Sequence, residues 1–223
     1  MIPFLLLATQ TGPAYPFPRA ILVVPKQSFS GRSVRTFTNP SEDLELITTD
    51  NVTTEVTQLD RATGRSTWLW RMKSESQKVD GQLVVTDPKA QPFEFTEIRS
   101  RAGAQFSFET GLDEGGGQQM ISRLNTLPLP AEPTVIGDTW EFSDSRTMPY
   151  IFRGRVLGYE NGLYKVKTFF QSTESPKFTA NGTAWVGMNG IPSKVEVTAS
   201  PMEIPGGEGP KATLTLVFTL ARK

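Results

Sequence analysis

The chain contains no histidine and no cysteine. Without imidazole or thiol there is no Ser-His-Asp or Cys-His nucleophile system, no thiolate or imidazole metal ligand, no iron–sulfur cluster and no disulfide. Excess charge is missing too. Lys plus Arg and Asp plus Glu stand at 23 each, so no field of one sign draws the chain to nucleic acid or to an acidic surface. No apolar run approaches the roughly 18 residues that cross a bilayer as a helix, which makes any membrane association peripheral at most. What remains is a 223-residue chain, long enough to bury a core without covalent staples. Its 19 glycines and 17 prolines predict many turns.

Residues 1–18 stand apart. Ile2, Phe4, Leu5, Leu6 and Leu7 form a short apolar run, and a small, polar, proline-rich stretch follows to Pro18. This pattern resembles the hydrophobic region and exit of a secretory signal peptide, although no Lys or Arg precedes the run. The alternative is an N-terminal strand or an apolar tail. The first reading predicts a secreted or periplasmic protein.

From there on the dominant period is two. Leu214, Leu216, Phe218 and Leu220 share one face of a candidate strand, and Thr213, Thr215, Val217 and Thr219 share the other. Val195 and Val197 alternate with Lys194, Glu196 and Thr198. Phe93, Phe95 and the more distant Ile98 suggest a further strand, and Phe106 with Phe108 another. Turn residues divide these runs at Asp60–Gly64, Asp80-Gly81, Ala102-Gly103, Asn161-Gly162 and Asn189-Gly190. The two Asn-Gly pairs predict type I′ hairpin turns, which need positive φ at both central positions. The fold class that follows is all-β: an antiparallel meander of about a dozen strands. It forms either two tandem β modules or one open barrel or sandwich.

One stretch breaks the rhythm. Met120, Ile121 and Leu124 sit at helical spacing, predicting a short helix over 118–124 whose apolar stripe rests on the sheet. Leu127-Pro128-Leu129-Pro130-Ala131-Glu132-Pro133 follows, an extended connector poor in hydrogen bonds. It divides a module over 19–126, containing the helix, from a second over 127–223. Pro201–Pro210 reads as a long hairpin loop.

The segment Leu127–Trp140, with its LP…P…GDTW spacing, resembles a connector found in bacterial exported β-rich domains of unknown function. The "GxP" hairpin element of those domains has its counterpart in Gly190-Ile191-Pro192. The resemblance implies an envelope or secreted location and brings no catalytic residues. Read by itself, the segment uses Gly137 for a left-handed turn and Asp138 to accept backbone N–H bonds. It plants Trp140 and Phe142 on one face of the next strand.

Without histidine and cysteine, the chemistry left to an enzyme is carboxylate chemistry, which needs two acids facing each other across a sugar. Glu94 and Glu97 fall on opposite faces of their strand, as do Asp138 and Glu141, and every acid reads more simply as a solvated surface group. No catalytic residue, metal site or cofactor is assigned. Gly115-Gly116-Gly117 lacks the Lys-Ser/Thr of a phosphate loop. The candidate ligand-binding residues are aromatic. Trp68 and Trp70 share a face with Met72, making a stacking platform if exposed and core if inward. Tyr150 and Tyr164 flank the Asn161-Gly162 hairpin, where they line the mouth of a barrel or pack in its core.

Three functions follow. The first is a non-enzymatic exported domain that binds or scaffolds an unknown protein in the bacterial envelope. The second is a carrier of a small apolar ligand in a curved sheet. The third is a carboxylate-dependent carbohydrate-active enzyme. A cavity lined by Trp, Phe and Met marks the carrier, two inward carboxylates in a cleft mark the enzyme, and an exposed apolar patch or sheet edge marks the scaffold.

Overall fold

A computed structural model of the chain describes residues 16–223 except 85, 88, 111–114, 147–148, 174–176 and 204–209. The apolar run of residues 1–8 lies outside the described residues. Twelve strands form one antiparallel sheet that does not close into a barrel. They are β1 (Ser28–Asn39), β2 (Leu44–Leu59), β3 (Ser66–Val79), β4 (Gln82–Val84), β5 (Phe93–Arg99), β6 (Gln105–Thr110), β7 (Thr139–Asp144), β8 (Tyr150–Glu160), β9 (Leu163–Ser172), β10 (Thr179–Val186), β11 (Pro192–Glu203) and β12 (Pro210–Arg222). The one helix among the described residues, α1, spans Gly115–Leu124. Of the two architectures open from the sequence, the chain adopts the single continuous sheet, and the halves 19–126 and 127–223 are joined by the β1–β12 ladder.

The order β6-β5-β3-β2-β1-β12-β11-β10-β9-β8-β7 leaves β6 and β7 as the two edges of the sheet. Strand β4 pairs with the end of β3, beside β5 on the same flank, so the sheet has eleven tracks. Direction alternates from track to track, so an odd number leaves the two edge strands, β6 and β7, running the same way. Parallel neighbours need a crossover connection. The described residues 115–138 run between the two edges, through α1 and the proline connector.

That crossover runs inside the curved sheet. Ile121, Leu124, Leu127 and Leu129 belong to the same buried core as Trp68, Phe95, Phe152 and Phe218. The first part of the connector expected to be an extended divider, Leu127–Pro130, is therefore buried, while Ala131–Pro133 are exposed. The buried part is tied to its surroundings: Leu129 N–H donates to the Ala102 carbonyl at 2.7 Å, and Trp140 Nε1 donates to the Pro128 carbonyl at 2.8 Å. The strap before β1 lies alongside, with Phe17 against Trp140 and Tyr164, and Ile21 and Leu22 bonded to the carbonyls of Arg101 and Asn189.

Local expectations fare unevenly. Asn161 and Gly162 both take positive φ, 52° and 80°, as a type I′ hairpin requires, and Asp80 and Gly81 do the same. At Asn189-Gly190 only Gly190 is left-handed. A wider turn forms there, with the Asn189 side chain accepting from Ile191 N–H, so the second type I′ expectation is corrected. Helix α1 begins at Gly115, three residues before the predicted start. Asp138 accepts from Val135 N–H at 3.0 Å and Gly137 has φ 99°, as the connector reading required.

Candidate functional site

The concave face of the first half is built by strand alternation. On β3, Ser66, Trp68 and Trp70 are buried and point inward, with Met72 following; on β5 the inward set is Phe93, Phe95, Glu97 and Arg99. Ile98, read with the phenylalanines in the sequence, lies on the opposite face. The aromatic rings stack along the sheet: Phe29 on Trp68 at 5.6 Å, Trp68 on Trp70 at 6.2 Å, Trp70 on Phe95 at 5.8 Å. The β1–β2 pairing runs unbroken through this stretch and sets Asp50 opposite the buried Ser33, on the inward face. Asp50 thereby meets Arg35 of β1, with Arg35 Nη2 2.7 Å from Asp50 Oδ2 and both side chains at least nine-tenths buried.

Two spaces open on this face. A cleft of about 300 Å³ is lined by Arg35, Asp50, Met72, Ser74, Asp87 and Phe93, and it opens to solvent. A chamber of about 20 Å³ lies against Trp70, Met72, Phe95, Arg99, Ile121 and Asn125. Met72 lines both, so the two spaces adjoin at its flexible side chain.

A buried polar ladder anchors the crossover beside the chamber. Arg99 Nη2 donates to Glu97 Oε2 at 3.0 Å, and Gln105 Nε2 donates to Glu97 Oε1 at 3.3 Å and to Ser122 Oγ at 3.2 Å. Arg123 Nε donates to Gln105 Oε1 at 3.0 Å. Glu97 is fully buried, so the surface-acid reading is corrected there: Arg99 and Gln105 occupy its carboxylate. Burial holds the Arg123 guanidinium below the usual arginine range, against the opposing charge of Asp144. For Asp144, burial pushes the carboxyl up, but hydrogen bonds from the Arg146 side chain and backbone outweigh it and hold it below the ordinary carboxylate range.

The four sequence-predicted residues are all interior. Trp68 and Trp70 lie side by side, and the Arg99 guanidinium sits 4.9 Å from one ring and 5.3 Å from the other. Their face is the inward one, so the exposed stacking platform does not form. Trp70 alone of the four lines the chamber. Tyr150 lies in the second half, under the Arg123 guanidinium at 5.1 Å; burial drives its phenol well above the usual tyrosine range. Tyr164 packs on Phe17 and Tyr159, and burial raises its phenol as well. The structure thus brings Trp68 and Trp70 together and leaves the tyrosines elsewhere. Sequence reading placed Met72 on the Trp68–Trp70 face and missed Arg35, Asp50, Arg99 and Asn125 as site residues. Strict alternation through Phe93–Arg99 would have placed Glu97 and Arg99 on the inner face; nothing in the sequence pointed to Arg35 and Asp50, which meet because the β1–β2 register makes them diagonal neighbours on that face.

Among the described residues no group of three acids is placed to hold a metal ion, and no helix is long and apolar enough to cross a membrane. The fold and site define an open up-and-down antiparallel sheet curled around its own crossover helix, with a solvent-accessible mouth at one end. No protein-family model and no curated protein matches the chain.

Proposed function

We propose that the protein is a non-enzymatic exported binding module that carries a small amphipathic molecule in the open end of its curved sheet. The cleft of about 300 Å³ leading past Met72 to the Trp70–Phe95 stack carries this reading. It offers an apolar wall, Met72 and Phe93, beside buried hydrogen-bonding groups, Arg35 and Asp50, which is the mixture that holds a small ligand and orients it. The interior carboxylates Asp50, Glu97 and Asp144 each accept from an arginine, an arrangement that suits fixed structure better than proton transfer. The apolar run at residues 4–7 and the Leu127–Trp140 connector support export.

The test is a fluorescence titration with N-phenyl-1-naphthylamine, an uncharged apolar probe. Saturable binding that is lost in Ser74→Trp, which plugs the mouth from an exposed position, supports the reading. Absence of saturable binding, or binding indifferent to that substitution, overturns it.

A further inference from the structure

The inference below rests on the carrier reading and names the end group of its ligand. The chamber behind Met72 has apolar walls, Val52, Phe95, Ile121 and Phe218. Three buried polar atoms of its lining residues nevertheless have no hydrogen-bond partner in the protein: Trp70 Nε1, Arg99 Nε and Asn125 Oδ1. Trp70 is 4% exposed and Arg99 3%. Buried polar groups are ordinarily satisfied, so three orphans around one small space describe the complement of something that binds there.

Their chemistry is specific. The indole and guanidinium N–H groups only donate, and the amide oxygen only accepts. The complementary group must accept twice and donate once, which a hydroxyl does with two lone pairs and one proton. A carboxylate has no proton for Asn125 and sets a negative oxygen against the amide oxygen. An ammonium has no lone pair for Trp70 or Arg99. Charge points the same way. Arg99 is the one charged residue lining the chamber, and Glu97 neutralises it at 3.0 Å. A space of about 20 Å³ holds one such group and nothing larger.

We propose that the chamber is a subsite for the uncharged hydroxyl end of the ligand. The ligand's apolar segment lies along Met72 and Phe93, and its second, polar end sits in the mouth among Arg35, Asp50 and Gln77. From Trp70 to Ser74 the strand advances about 13 Å, a span that a medium-length chain covers.

The experiment is calorimetric titration of the full chain with 10-hydroxydecanoate, decanoate and decanedioate, which share one end and differ at the other. The hydroxy acid is expected to bind about five- to ten-fold tighter than decanoate, the worth of the added hydrogen bonds. Trp70→Phe keeps a ring in the stack and removes the N–H, so it should erase that difference between hydroxy acid and decanoate. Asn125→Ala, at a half-buried position after α1, should act the same way. Equal binding of hydroxy acid and decanoate, insensitive to both substitutions, would show that the chamber takes only water. Tightest binding of the diacid would make it an anion site. Either outcome overturns the hydroxyl subsite while N-phenyl-1-naphthylamine still binds. If that probe fails as well, the carrier reading has failed with it.

Discussion

Arg146 Nη2 lies 3.3 Å from the backbone carbonyl of Gln105, reaching from the end of β7 across the open gap of the sheet to β6. Its Nη1 donates to the Phe106 carbonyl at 3.4 Å, and its guanidinium sits 4.4 Å from the Phe106 ring. The same side chain holds Asp144 from two nitrogens, Nε at 2.9 Å and Nη2 at 2.8 Å. Two parallel edges with no ladder between them are thus bridged by one arginine, which also covers carbonyls that would otherwise be open to strand addition. The first prediction concerns this bridge. Arg146→Ala should lower the unfolding free energy by about 2 kcal/mol, because the buried Asp144 carboxylate loses its partner while the arginine itself is partly exposed. Urea denaturation measures it, and a change under about 0.5 kcal/mol would show that the bridge contributes nothing.

Asp144 makes stability depend on pH. Its folded carboxyl titrates below the unfolded value of about 4 because Arg146 hydrogen bonds favour the charged form over the opposing effect of burial. A group with a depressed folded value contributes stability that is complete above the unfolded value and lost as pH falls through the folded one. Unfolding curves taken from pH 6 downward should therefore steepen below about pH 4 in the native chain and less so in Asp144→Asn. Parallel curves would remove Asp144 from the acid response.

Trp140 stands opposite Gly154 in the β7–β8 ladder, and a Cβ added at Gly154 would run into the Trp140 indole. The indole N–H in turn holds the connector at Pro128. Gly154→Val should displace the ring, release that bond and cost about 2–3 kcal/mol, with tryptophan emission shifting to the red. An unshifted spectrum at native stability would mean that the ring has another seat.

Glu97 and Arg99 form a fully buried pair, 0% and 3% exposed at the side chain. Glu97→Gln leaves the arginine charge without its counter-ion beneath Trp68 and Trp70, and should cost about 3 kcal/mol or more. The double substitution Glu97→Gln, Arg99→Met removes the stranded charge and should recover much of the loss. A double variant as unstable as the single one would place the damage in the Gln105 hydrogen bond instead.

Much of the sheet was readable because one side of each strand is apolar. Leu214, Leu216, Phe218 and Leu220 are all buried and Trp140 and Phe142 share a face, as alternation predicts. Strand β1 was not readable. Its inward positions run Phe29, Gly31, Ser33, Arg35 and Phe37, so polar and small residues interrupt the apolar face. Those residues have their own partners. Gly31 lets the β12 backbone approach at Thr219, and Arg35 finds Asp50. The site was illegible for the same reason: its charged members sit on the core side of strands, where periodicity expects carbon.

Local chemistry along the chain determined the pleat, the Asn161-Gly162 turn and the stiff connector, because each depends on residues within a few positions of one another. Only the tertiary structure decided that Leu127–Pro130 of the connector is buried against the sheet and that the tryptophan face looks inward. The first is tied to the track count. Eleven tracks leave β6 and β7 parallel, so the chain must cross back between them, and the curved sheet buries that crossing on its concave side. Strand parity and curvature belong to the whole sheet, and no stretch of sequence carries them alone.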